Sequence, residues 1–172
     1  MDTLASWLAA TGVDGFVAAN DWVWPLCETL HFVGMAVLIG TVGIVDLRIL
    51  GALKGLPIHY LEKFVPLGVI AFIVNMSTGF IFVAGNPVGG PQEYLTNLAF
   101  QLKMITVLIA GINLLVFYVA GIERTLVAVT PEGDAPVGAK VIAGVSLAAW
   151  FSVILFGRLI MYNDTLLYAL GL

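Results

Sequence analysis

The chain has 172 residues, 60% of them hydrophobic and 10% charged, with a net charge of -4 and a mean hydropathy of +1.04. That composition excludes a water-soluble globular domain and points to a polytopic membrane protein whose first partner is the lipid bilayer. The few basic residues are scattered, which excludes nucleic acid as a partner, and the single cysteine, Cys27, leaves no intrachain disulfide to form.

Residues 1–21 carry Asp2, Asp14 and Asp21 but no lysine or arginine. They lack the basic region of a signal peptide, so no cleavage is expected. Leu4, Trp7 and Leu8 recur at helical spacing and predict a short helix lying in the headgroup region, broken at Gly12 and Asp14-Gly15. Four stretches are then long enough to cross a bilayer core, which takes about 20 residues of helix: 23–48, 65–85, 98–121 and 138–161. The links are short, at 51–63, at 85–91, and around Pro131-Glu-Gly-Asp134. Short links make sequential helices antiparallel neighbours. The predicted fold is therefore all-α: an up-down four-helix transmembrane bundle over 22–162, between an interfacial segment at 1–21 and a short tail at 163–172. The apolar runs do not alternate as barrel strands would.

Arg48, Lys54 and Lys63 flank the first link and Arg124 and Lys140 the third, five of the seven basic residues. The positive-inside rule then puts these links in the cytoplasm and both termini outside. The remaining two, Lys103 and Arg158, fall inside predicted spans, towards their outer ends. Glu28 and His31 occupy the outer half of the first span, and Asn75, Ser77 and Thr78 lie near mid-depth in the second. Ionisable groups in hydrocarbon need partners, so Glu28, His31, Lys103 and Arg158 are the candidate site.

Three readings follow from those residues. In the first, Glu28 pairs with Lys103 or Arg158 in a structural ion-pair network, and the chain is a structural or assembly subunit. In the second, a neutral His31 is the axial ligand of a b-type haem, and Lys103 and Arg158 meet its propionates, in a protein of redox or electron-transfer chemistry with a separate redox partner. In the third, Cys27, His31 and Met35, at i, i+4 and i+8 on one helical face, form a soft copper site, joined by Met76 or Met104. His59 lies in the first link, at the opposite side, and cannot be a second axial ligand to a haem on His31.

The first helix, with Trp24-Pro25, Glu28, His31, Gly34 and Asp46-Leu-Arg-Ile-Leu-Gly51, the third, with Tyr94, Asn97, Phe100, Lys103 and Asn113, and the fourth, with Ser146-Leu-Ala-Ala-Trp150 and Gly157-Arg158, together resemble an uncharacterised bacterial family of small four-helix inner-membrane proteins. More distantly, His31 in the first helix and Lys103 in the third are similar to the pattern in copper-resistance protein D and in the haem-binding membrane type of protoporphyrinogen oxidase. The oxidase resemblance implies His31 as haem ligand, and the copper resemblance implies copper handling. Oxidase activity does not carry over, because Asp46-Leu-Arg48 stands where that group has an arginine- and histidine-rich helix end.

Asp46 and Arg48 are expected at the inner interface, pairing with Arg124 or Lys140. Gly34, Gly40, Gly43, Gly144 and Ala148 permit close helix approach, within the bundle or in a homo-oligomer. Trp7, Trp22, Trp24 and Tyr94 suit an outer aromatic belt, and Trp150 is read as core. No catalytic triad, paired-carboxylate or zinc spacing appears, and Glu28-Thr-Leu-His31 is half of a di-iron pattern with no second copy. No inverted repeat or broken helix marks a transporter.

Overall fold

A computed structural model describes residues 2–171, and among them every regular element is helical. Helix α1 (Asp2–Ala9) and helix α2 (Val13–Ala18) are separated at Gly12, whose φ of 73° is the left-handed conformation that glycine adopts without strain. The first long helix, α3 (Val23–Leu50), ends at Gly51 with φ 94°, where the amides of Gly51 and Ala52 turn back onto the carbonyls of Arg48 and Leu47. This is a glycine-closed helix end of the Schellman kind. After a one-turn helix α4 (Ile58–Leu61) come α5 (Val65–Ala84), α6 (Gly90–Thr96), α7 (Leu98–Val119), α8 (Ile122–Leu126), α9 (Val137–Leu159) and α10 (Asn163–Leu170).

Four helices, beginning at Val23, Ile58, Leu98 and Val137, are long and apolar enough to cross a membrane. This is the build of a multi-pass membrane protein. The predicted spans agree with α3, α5, α7 and α9 to within a few residues. Five short helices were not predicted, α2, α4, α6, α8 and α10, because their short mixed sequences carry little periodic signal, and Asp14-Gly15, expected as a break, lies inside α2.

Contacts fix how the long helices pair. His31 meets Thr78 and Thr41 faces Gly68, so α3 and α5 run antiparallel. Gly157 lies beside Lys103 and Asn113 donates to the Ile142 carbonyl at 3.1 Å, so α7 and α9 are antiparallel too. The two pairs join where α3 packs on α9, with Gly43 against Leu147. Close approach of α3 and α5 depends on Gly34, where an added Cβ would stand 2.5 Å from Asn75 Nδ2.

Both termini gather at one end of the bundle, with the link that holds α6. Leu8 of α1 is buried with Val83 and Ala84, and Val17 of α2 with Val23 and Cys27. The N-terminal segment thus packs partly onto the bundle, while Leu4 and Trp7 remain exposed. Asn97 caps α7 by accepting from the Phe100 amide, and its Nδ2 donates to the Ile160 carbonyl at 3.0 Å. The Leu98 amide donates to Asn163 Oδ1, also at 3.0 Å, which ties the start of α7 to α10.

At the opposite end the structure corrects the expected pairing of Asp46 and Arg48. Arg48 is fully buried, at 0% exposure, and makes no ion pair among the described residues. Its guanidinium donates to backbone carbonyls of both links: Nε to Leu56 at 2.7 Å, and Nη2 to Thr130 at 3.0 Å and Pro131 at 2.8 Å. The five-donor fork suits such a cluster of carbonyls better than an ammonium would. Lys140 pairs instead with Asp134 at 2.8 Å, and Lys54 reaches the other oxygen of the same carboxylate at 2.9 Å. Asp46 lies beside Ser146 of α9.

Candidate functional site

His31 is half-buried between α3 and α5, within aromatic surroundings. Its ring lies 5.3 Å from that of Phe82, which in turn lies 5.1 Å from Trp24. Nδ1 is 2.8 Å from the Thr78 hydroxyl oxygen. The same hydroxyl is within reach of the Val74 carbonyl at 2.8 Å and the Asn75 carbonyl at 3.2 Å. With its proton on either carbonyl it accepts from His31, the arrangement in which a neutral imidazole carries its proton on Nδ1 and keeps a lone pair on Nε2. Gly79, one residue past the partner, lies against the ring, where an added Cβ would make an ordinary contact 3.8 Å from Cε1.

Lys103 of α7 is near enough to His31 to act on it electrostatically. Its side chain lies along Gly157. The other two residues of the expected site have separate partners. Glu28 is exposed and accepts from Trp24 Nε1 at 3.1 Å. It also lies near Tyr94 of α6, whose phenol is raised above its ordinary range by burial and by the carboxylates of Glu93 and Glu28. Arg158 is exposed, with its guanidinium 5.4 Å from the Tyr162 ring centre. Among the described residues the ion pairs are Lys54–Asp134, Lys140–Asp134 and Arg124–Glu123. The expected network joining Glu28 to Lys103 or Arg158 is not formed: the short carboxylate of Glu28 is held on its own helix by Trp24.

Cys27 is buried in the cluster with Val17 and Val23, whereas Met76 and Met104 are exposed on the outer faces of their helices. No group of three or more His, Cys, Asp or Glu side chains placed to hold a metal ion occurs among the described residues. His59 is exposed at the far end of the bundle, stacked on Tyr60 at 4.1 Å.

A second concentration of polar groups, which sequence reasoning missed, lies nearer the Arg48 end. Asp46 and Thr41 of α3, Asn113 of α7 and Ser146 of α9 border a crevice of about 370 Å³. The sequence leads one to expect Asp46 at the inner interface together with Arg48. Two positions on a helix are about 200° apart, so Arg48 turns to the links and Asp46 into the bundle. A polar cleft of about 600 Å³ opens at the end that holds the termini, lined by Trp24, Tyr94, Asn97 and Tyr162 among others; neither His31 nor Lys103 borders it.

No curated protein and no solved structure matches this chain. The profile of one family matches residues 10–163, which takes in all four long helices, His31, Lys103 and the whole polar crevice. The chain belongs to that family, the family of unknown function DUF6644.

Proposed function

We propose that the chain is an up-down four-helix bundle of the bacterial inner membrane, with both termini outside, and that it binds a b-type haem through His31 for redox or electron transfer. The observation that carries the reading is the hydrogen bond from His31 to Thr78. It holds the ring by Nδ1 and, with the imidazole proton on that nitrogen, leaves the Nε2 lone pair for a metal, the arrangement expected of an axial histidine whose other nitrogen is held by the protein. A bound haem would supply one-electron chemistry at that point. The chain's own contribution is to orient the imidazole and keep its proton on Nδ1. Lys103 has no carboxylate partner among the described residues and can meet the haem's carboxylates. With His59 at the other end, no second imidazole is in reach.

The visible spectrum of protein purified gently from cells supplied with haem tests this. The expected result is a strong haem band that shifts on reduction and is absent from His31→Ala. Thr78→Val keeps the shape of the threonine but removes the acceptor, and should weaken haem retention by about 10-fold or more. A colourless wild-type protein overturns the reading. If that protein instead carries copper, lost in His31→Ala, the copper alternative replaces it.

A further inference from the structure

The crevice that holds Asp46 is bounded by all four long helices, and it exists because α5 and α7 face one another without packing together. Small residues keep it open: Gly68 on α5, Ala110 and Gly111 on α7, and Ala143 on α9. Aromatic pairs stand on its walls. Phe72 and Trp150 meet edge to face at 6.4 Å, and Phe117 and Tyr118 at 5.3 Å. Nearly all the rest of its wall is aliphatic.

One acceptor among the polar groups that border it is unmet. Asp46 is 7% exposed, and although Ser146 bonds its carboxyl, Oδ2 has no hydrogen-bond partner. The Thr41 proton is taken by the carbonyls of Val37 and Leu38, and Asn113 spends a donor on the Ile142 carbonyl. A buried acceptor without a partner is costly, and native interiors rarely keep one without reason. The torsion that turns the carboxyl group is soft, so either oxygen can be presented to the crevice. What is missing is a donor.

We propose that this crevice binds a membrane-soluble phenol, whose hydroxyl donates to the Asp46 carboxyl and whose ring and apolar tail lie between α5 and α7. The volume is at the lower end of the range for small-molecule sites. A lipid acyl chain would fill it but brings no donor, leaving Asp46 as it stands. The aromatic walls and the small residues beside them favour a flat ring over a branched aliphatic alcohol. The head group would sit level with Asn113, six residues before the end of α7, or about 9 Å of helix. A molecule dissolved in the bilayer reaches that depth by passing between α5 and α7. This site is separate from His31 and does not depend on haem.

Binding of 4-decylphenol to the full chain in lipid nanodiscs, followed by tryptophan fluorescence against empty nanodiscs, tests the proposal, with 4-decylanisole as the matched probe that lacks the donor. The phenol should bind saturably and at least about 10-fold more tightly than the anisole. Asp46→Leu should make the two probes equal. Gly111→Leu places a side chain in the crevice, where no neighbour lies within 4 Å of an added Cβ, and should abolish binding of both while leaving the helical circular dichroism and elution volume unchanged. Equal affinities in the wild type, or phenol binding unaffected by Gly111→Leu, would overturn the proposal. So would binding of decylamine but not of the phenol, which would make this an ammonium site.

Discussion

Arg48 and His31 show how differently a polar side chain can be accommodated in one apolar bundle. Arg48 is buried without a counter-ion among the described residues, yet three short bonds to the carbonyls of Leu56, Thr130 and Pro131 disperse its charge over the backbone of two links. Its loss should therefore loosen both links at once. Hydrogen bonds to a charged group are worth roughly 1.5–3 kcal/mol each, and water can replace part of what is lost at a helix end. Arg48→Ala should cost about 3 kcal/mol, with Arg48→Lys intermediate because a single ammonium cannot reach three carbonyls in a fork. Thermal unfolding in detergent should rank the wild type above Arg48→Lys and that above Arg48→Ala; an Arg48→Ala protein as stable as the wild type would refute the clamp. His31 has one protein hydrogen bond and one free nitrogen. A residue whose polar atoms are all used is structural, and one that keeps a lone pair in reserve invites a ligand.

At the scale of elements, the two links at the Arg48 end form a unit of their own. Lys54 from the first and Lys140 from the first turn of α9 converge on Asp134, and the Gly55 amide donates to the Pro131 carbonyl at 2.9 Å. The two ammonium groups hold the Asp134 carboxyl at about 2, below its ordinary 3.8. A carboxylate whose folded value is depressed stabilises the fold fully above the unfolded value, and that contribution fades as pH falls through the folded one. The difference in unfolding temperature between wild type and Asp134→Asn should thus be constant above about pH 5, shrink as pH falls towards 2 and vanish by about pH 1. It should also shrink in salt, because the pair is exposed. A difference that does not shrink between about pH 5 and pH 1 would show that the effect of the substitution is not electrostatic. The elements themselves were legible where they were long. Apolar runs of span length identified α3, α5, α7 and α9, and Gly12 and Gly51 marked breaks that the structure places at left-handed residues. The short helices α2, α4, α6, α8 and α10 were not legible, since a mixed run of eight residues or fewer has no period to read. Of the candidate site, the sequence singles out His31 and Lys103 by their depth, and the structure sets them near one another. It could not reveal Thr78 as the partner of His31, or the turning of Asp46 into the bundle, because both depend on which face each helix presents to its neighbour.

For the whole molecule, the two ends of the bundle differ in chemistry and in how they are closed. One end carries both termini, the α6 link and the aromatic residues Trp7, Trp22 and Trp24; the other carries Lys54, Lys63, Arg124 and Lys140 around the Arg48 clamp. Positive charge resists translocation, so the second end is expected in the cytoplasm. That orientation puts His31 in the outer half of the membrane and the Asp46 crevice in the inner half. Exposed positions at each end make this measurable. In a Cys27→Ala background, single cysteines at Ser6 and Thr165 report the first end, and single cysteines at Glu62 and Glu132 the second, all four being exposed positions. A membrane-impermeant maleimide applied to intact spheroplasts should label the Ser6 and Thr165 positions at once, and the Glu62 and Glu132 positions only after lysis. The reverse pattern would invert the orientation and exchange the compartments that the two sites face. Labelling of all four from outside would contradict four crossings, since every position at one end is separated from every position at the other by an odd number of long helices.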